Sequence, residues 1–400
     1  MNLNLNLNDK FTELKNWCIK NGSFINEKII FNSENNTYYS NQIINSNETI
    51  FEISQKCTMN SDQFSELPFI NNENLELFDF VEKLILVLIY NLFIKEESFY
   101  KEYIDMLPGL DSFKSHPINI LKTMVSNEFE LTDEVKILLG SYVNSIKEID
   151  EKINLLYDKI TSINPIYKKI INKDNLLYGF LIVKTRSLDN KTMVPIIDLI
   201  SYSNESHTVL EVSNNAYLFK SIQEYQPNKA INYNYDEKST LEFYFHYNVI
   251  LETNTNKLSI NITNDKIKEL FNDKISNIVI NFNNIQPDLL ALCRMQSLSE
   301  LELNKIYELK NIQAMYDFIN LENELSAYRI LLNIFSNCIK DIEEKVKISI
   351  KLKDSNNIVL QNFSKIFLNI NDSINKSILL VLFLWNNMLN SPIKYNINLD

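Results

Sequence analysis

Twenty tyrosines, three arginines, three histidines and four cysteines are the side chains here best suited to reactive chemistry, and their spacing narrows what that chemistry could be. His116, His207 and His246 lie far apart without metal-ligand spacing, so no metal site built on histidine is expected. Cys18, Cys57, Cys293 and Cys338 are equally scattered and form no C-x-x-C pair; they read as reduced thiols with no structural disulfide, as in a cytoplasmic or nuclear protein. There is no G-x-S-x-G, no P-loop and no G-x-G-x-x-G, so the generic catalytic templates give nothing. What remains is tyrosine, and most of twenty tyrosines simply bury a ring and satisfy the hydroxyl.

Only 4 glycines stand in 400 residues, whereas asparagine takes about one position in seven. Asparagine tolerates left-handed backbone better than any residue except glycine, so it can stand where a tight turn would otherwise demand glycine. The composition, 45% hydrophobic and 22% charged, is globular, and the length suits about two or three domains. A net charge of -12 argues against general phosphate-backbone binding and leaves basic protein segments as partners. The longest apolar runs, at 81–94 and 377–384, fall short of the ~20 apolar residues that span a bilayer. The start, MNLNLNLNDK, lacks the basic and apolar regions of a signal peptide.

The elements that must position any site alternate in texture. Phe11, Leu14, Trp17 and Cys18 mark a short amphipathic helix ending at Asn21-Gly22. Strands are expected at 29–31, 37–40 and 49–53, then a helical insertion over about 75–175, with a long amphipathic stretch at 133–163. Strand texture returns at 179–183, 192–194, 216–219, 229–233 and 258–262. From Pro287 to Lys347 apolar residues recur at three- and four-residue spacing, which predicts two or more amphipathic helices.

Several segments, in order, resemble the SET-domain methyltransferases of the Rubisco large-subunit methyltransferase class. FTELKNWCIKNG is similar to that family's opening helix, and SENNTYYSNQIINSNETIFEIS stands in the place of its first cofactor loop, with Glu34 and Glu48 at acidic positions and Asn35 and Thr37 at loop glycines. ESFYKEYIDMLPGLDSFKSHPI resembles "SFWxPYxxxLP", keeping Ser98, Phe99, Tyr103, Leu107 and Pro108. YGFLIVKTRSLDNKTMVPIIDLISYS resembles "xxSRxF … VPxxDxxNHS", keeping Arg186, Pro195, Asp198 and Ser203, with Ser201 and Tyr202 at the Asn-His pair. NKAINYNYDEKSTLEFYFHYNVILETN resembles "GExxxxSYGxxSNxELLxxYGFxxxxN": Asn228 stands for the first glycine, Tyr235, Ser239, Glu242, Tyr247 and Asn254 are kept, and Asp236 and Asn248 replace glycines. PDLLALCRMQSLSELEL and INLENELSAYRILLNIFSNCI resemble the start of the family's helical substrate-binding domain, with Arg294 and the Asn323-Glu324 pair.

The resemblance implies an α+β fold: a β-rich SET core over 1–264, interrupted by the helical lobe, and a mainly α-helical substrate-binding domain over 265–400. It implies S-adenosyl-L-methionine as cofactor and methyl transfer to a lysine, or else a histidine, of a protein segment docked between core and helical domain. Neither nucleic acid nor membrane is implied as a partner, and the chain is expected to act as a monomer. Tyr235 is the implied catalytic residue. The cofactor would be held by Glu34, Asn35, Asn36, Thr37, Tyr38, Arg186, Ser201, Tyr202 and Tyr235, and the substrate by Tyr233 and Tyr247. Such a transfer is an in-line displacement needing alignment in a narrow, dry channel rather than a strong acid or a metal. Phenol and main-chain oxygens suit it because they can polarise around an electron-poor methyl. Two roles stay open for Arg186, a fork for the cofactor carboxylate or a structural ion pair. Glu34 is either near the cofactor's amino group or solvated, and Arg294 with Asn323 and Glu324 reads as a tie between helices. The rival class is a SET scaffold kept as a non-catalytic protein-binding module.

Overall fold

The computed structural model describes residues 7–68, 70, 72–126, 131–163, 165–203, 206–213, 215–234, 238–251, 255–258, 265–270, 278–281 and 285–390. The chain forms two compact units, one of Met1–Asn119 with Lys147–Glu237 and the other of Ile120–Ile146 with Lys238–Asp400.

In the first unit, α1 (Leu7–Lys20) buries Phe11, Leu14, Trp17 and Cys18. Gly22, at φ +90°, turns the chain so that the Ser23 N–H returns to the Cys18 carbonyl at 3.0 Å. The strands β1 (Phe24–Ile25), β2 (Ile29–Asn32), β3 (Thr37–Ser40), β4 (Thr49–Ser54) and β5 (Met59–Asn60) follow. Next come α2 (Phe80–Phe93) and α3 (Lys101–Met106), then α4 (Pro117–Ser126), most of which belongs to the second unit, and α5 (Asp133–Leu139), which lies wholly in it, and then α6 (Tyr142–Ile163), whose start also belongs to the second unit, and α7 (Lys173–Arg186). The return to strands is β6 (Ser187–Leu188), β7 (Thr192–Met193), β8 (Ser201–Tyr202), β9 (Thr208–Val212), β10 (Ala216–Ser221) and β11 (Ala230–Tyr233).

Three small sheets result, with orders β1-β4-β10-β9, β2-β3-β11-β8 and β5-β7-β6. Strands from both sides of the helical insertion share each sheet, which is the SET arrangement the sequence implied. Every pairing is antiparallel except β8 with β11. The rings of Phe11, Phe31, Tyr38, Phe51 and Phe219 pack in sequence at centroid separations of 4.6 to 6.0 Å and form the core between these sheets.

One expected strand is a helix. Residues 179–183 lie inside α7, whose Leu176–Val183 are all buried. A short run that is apolar on every side fits a buried strand and a buried helix equally well. Here α7 crosses α2 at Gly179, where an added Cβ would lie 3.0 Å from the Ile85 side chain, so the close approach uses one of the four glycines. The expected stretch 133–163 is two helices, α5 and α6, broken at Gly140 with φ +56°.

The second unit continues through α8 (Thr240–Tyr247), β12 (Thr255–Leu258), α9 (Asp265–Leu270), β13 (Ile278–Asn281), α10 (Pro287–Gln296), α11 (Glu300–Leu309), α12 (Leu321–Leu352) and α13 (Ile358–Asn390). The strand expected at 258–262 is described only at its first residue, the end of β12. Arg294 is buried on α10 and ties it to α12: Nε and Nη2 donate to the two Glu324 oxygens at 2.6 and 2.8 Å, while Nη1 donates to the Met315 and Tyr316 carbonyls. Asn323 adds a bond to the Arg294 carbonyl at 3.0 Å. All four cysteines are free and buried. By length and composition alone α13 is long and apolar enough to cross a membrane, because one helix continues through the interspersed Asn and Ser that break the apolar runs. Its Phe363, Phe367, Ile370, Ile374 and Val381 are buried along one face.

Candidate functional site

Three segments far apart in sequence meet at one end of the second sheet. The first is the turn before β3. Asn32 Oδ1 accepts from the Glu34 N–H at 2.9 Å, and Asn36 takes φ +50°, so the chain reverses without a glycine. Asn35 and Thr37 stand at the family's loop glycines, yet the left-handed residue of the turn is Asn36. The second segment is β8 and the third is β11, which lie parallel with Asn232 opposite Ser201 and Tyr233 opposite Tyr202. On its other side β11 pairs with β3, Ile231 opposite Tyr38. A direct link closes the arrangement, because the Thr37 and Ser201 hydroxyls lie 3.1 Å apart.

The predicted residues divide accordingly. Glu34, Asn35 and Asn36 are exposed on the turn, where Asn35 Nδ2 donates to the Tyr39 hydroxyl at 2.7 Å. Thr37 is buried, while Ser201, Tyr202 and Tyr233 are half-buried. The Tyr233 ring meets Phe219 edge-on at 5.5 Å, and burial raises its phenol pKa. Tyr38, the last residue of the expected cofactor loop, turns its side chain into the core. It is fully buried in the aromatic core, and its hydroxyl donates to the Ile196 carbonyl at 3.2 Å, so its side chain serves packing. Burial, with Asp198 nearby, raises its pKa well above the usual phenol value. Tyr235 lies outside the described residues. Tyr247 belongs to α8 of the second unit, its ring beside Phe243 at 5.3 Å and under Lys238 Nζ at 5.7 Å.

Arg186 closes α7 and leads into a cluster that the expected site residues did not include. Its Nη1 donates to the Asp198 carbonyl at 3.1 Å and lies 3.8 Å from Asp198 Oδ2. The Asp198 side chain is 2% exposed, and its Oδ2 accepts from the Tyr103 hydroxyl. Burial pushes the Asp198 carboxyl up to about 6, with Arg186 and Tyr103 pulling the other way. Two residues earlier, Ile196 sits at φ +71° and ψ -51°, and the Ile197 N–H donates to the Pro195 carbonyl at 2.8 Å. That is a tight three-residue turn of the strained hand, costly for a β-branched residue. Tyr103, Pro195 and Asp198 all stand in matched segments, so the signal was present; what no spacing reveals is that α3 brings Tyr103 onto Asp198.

The turn offers exposed polar groups, the β8/β11 crossing offers hydroxyls and main-chain oxygens, and Arg186 offers a cation. These group types suit the carboxylate, amino and hydroxyl groups of a molecule such as S-adenosylmethionine, and the left-handed Asn36 lets the turn reverse without a glycine.

No family model and no curated protein sequence is matched by the chain. Solved structures are matched over nearly its whole length. The SET domain of LSMT bound to lysine and AdoHcy is 15% identical with TM-score 0.55, covering 97% of this chain and 94% of that one. Rubisco LSMT bound to sinefungin and monomethyllysine matches with the same identity and coverage at TM-score 0.52. Rubisco LSMT bound to AdoMet is 16% identical over 93% of each chain, also at 0.52. The interleaved sheets, the helical insertion and the helical second unit therefore make this chain an α+β protein with the fold of the Rubisco LSMT class of SET-domain methyltransferases.

Proposed function

We propose that the chain is an S-adenosylmethionine-dependent protein N-methyltransferase whose acceptor is a lysine nitrogen, with a histidine nitrogen as the narrower alternative. The observation that carries this is the meeting of the Asn36–Thr37 turn, Ser201–Tyr202 and Tyr233 around parallel strands, in a fold whose solved examples hold AdoMet or its analogues and lysine. The cofactor supplies a methyl group on a sulfonium, already activated for displacement. The chain's part is to orient: Arg186 faces carboxylate charge, the Glu34–Thr37 turn takes the amino-acid end, and Ser201 and Tyr202 flank the ring system. Tyr235 and Tyr233 direct phenol oxygens at the transferring carbon and the target nitrogen. Excluding water keeps the nitrogen neutral and nucleophilic. The acidic net charge of -12 favours a basic or lysine-containing protein segment in a reducing compartment.

The rival reading, a non-catalytic binding module, is favoured by one observation: an Arg186 nitrogen already bonds to Asp198. Titration calorimetry with S-adenosylmethionine and mass spectrometry for co-purified S-adenosylhomocysteine separate the two. Micromolar binding supports the enzyme. No heat at millimolar cofactor, where a site of about -4 kcal/mol would begin to fill, rejects it.

A further inference from the structure

Asp198 is an expensive residue to keep where it stands. Its carboxyl is almost wholly buried, Oδ2 takes the Tyr103 hydroxyl, and among the described residues Oδ1 has no hydrogen-bond partner. A half-satisfied buried carboxylate costs free energy that an apolar side chain of the same shape would not. The strained turn at Ile196 adds to the cost, since a left-handed β-branched residue persists only where its surroundings over-determine it. Those surroundings are visible. The Tyr38 hydroxyl holds the Ile196 carbonyl, the Asp198 N–H donates to the Val194 carbonyl at 3.1 Å, and Tyr103 holds the carboxyl. The one partly exposed member is Arg186, with 21% of its side chain accessible, held by the Asp198 carbonyl and facing its carboxylate. A buried anion gripped from behind, with a cation in front of it that reaches the surface, is the geometry of an orienting group.

We infer that Asp198, clamped by Tyr103, is the positioning residue that holds the Arg186 guanidinium in the orientation from which it receives a ligand carboxylate. The ligand's identity rests on the methyltransferase reading; the clamp itself does not. Asp198 touches neither cofactor nor acceptor in this role and acts through Arg186. Nη1 is occupied by Asp198, and among the described residues the other edge of the fork has no hydrogen-bond partner, so the ion pair and the ligand role of Arg186 are compatible.

The chain has only three arginines, and their environments differ: Arg294 is buried and fully paired, Arg329 is exposed, and Arg186 lies between. Selective NMR of the arginine guanidinium N–H groups, Nη included, therefore reads the clamp at the Nη1 that Asp198 holds, with Arg294 and Arg329 as internal references. In Asp198→Asn the Arg186 Nη–H groups should exchange with water at least ~10-fold faster while those of Arg294 are unchanged, and Tyr103→Phe should shift them the same way by less. The thermal midpoint of Asp198→Asn at neutral pH should not fall. In the same proteins the calorimetric Kd for S-adenosylmethionine should rise ~10-fold, equal to about 1.4 kcal/mol. Unaltered Arg186 exchange in both variants overturns the inference, whatever the cofactor does. If Asp198→Asn fails to fold, Tyr103→Phe alone decides by the same readout. Wild-type protein that binds no cofactor while both variants release Arg186 sinks the methyltransferase reading and leaves the clamp in place.

Discussion

The hydroxyls of Thr37 and Ser201 are 164 residues apart in sequence and 3.1 Å apart in space. This link joins the turn before β3 to the strand that runs parallel to β11, and Thr37 also donates to the Asn35 carbonyl at 3.0 Å. Thr37→Val keeps the shape and deletes both bonds in a buried place. It should cost about 1–2 kcal/mol in urea unfolding, with the m-value unchanged. Ser201→Ala should cost about 1 kcal/mol or less because Ser201 is half-buried. Equal stability in all three proteins would show the link to be incidental.

The order of strands and helices was legible because the β segments are rich in β-branched and aromatic residues between Asn/Ser turns, while apolar residues recur near 3.6 from Pro287 onward. The failure at 179–183 came where the period vanishes, in a helix buried on all sides. Within the site, Ser201, Tyr202, Tyr233 and the Asn36 turn could be placed together from the order of matched segments. Tyr38 could not be assigned from sequence, since a tyrosine in a cofactor loop and one in an aromatic core look alike until the fold closes over it. The Tyr103–Asp198 contact was hidden for the same reason: two matched fragments of one motif series say nothing of which side chain reaches which.

Asparagine in place of glycine has a measurable consequence at Asn248. It ends α8 in the left-handed region at φ +56°, its N–H on the Tyr244 carbonyl, and Asn228 does the same work before β11 at φ +62°. Both positions had been matched to family glycines. Asn248→Ala should therefore destabilise by about 1 kcal/mol, while Asn248→Gly should be neutral or stabilising by a few tenths. The comparison is read from denaturant midpoints, and an alanine variant as stable as wild type would contradict the left-handed cap.

In the helical unit the Arg294–Glu324 pair has every guanidinium nitrogen engaged, with the two side chains only 8% and 2% exposed. Removing one partner strands a buried charge. Glu324→Ala and Arg294→Ala should each cost about 3–5 kcal/mol, with the double replacement less damaging than the sum of the two. A double-mutant cycle with no coupling would show that the two charges do not depend on each other.

Asp198 also predicts how stability follows pH. Its folded pKa, about 6, lies above the ordinary 3.8, with Arg186, Tyr103, Tyr38 and Cys18 as the titratable or charged groups around it. The folded state thus binds the proton more tightly than the unfolded state does. The stability this confers is complete below pH ~4 and is lost as pH rises through ~6. Asp198→Asn, neutral throughout, should gain on wild type at pH 7 by on the order of 3 kcal/mol, and the advantage should disappear by pH 4. Thermal midpoints of both proteins between pH 4 and 8 test it; parallel curves would refute a raised pKa.

The sharpest test of the proposed chemistry falls on Tyr235. In sequence it follows Tyr233, the last residue of β11, by two positions. If its phenol oxygen orients the target nitrogen and the transferring methyl, the contact matters in the transition state far more than in the cofactor complex. Tyr235→Phe should then lower methyl transfer to a lysine-containing protein by about 10²-fold or more while the calorimetric Kd for S-adenosylmethionine changes less than ~3-fold. Transfer is followed with labelled methyl groups and mass spectrometry of the acceptor protein. The non-catalytic reading predicts something different: no transfer by the wild type with any basic protein, and a Tyr235→Phe variant that differs from it only in stability. Transfer by the wild type together with an undiminished rate in the variant would keep the methyltransferase and remove Tyr235 from its mechanism.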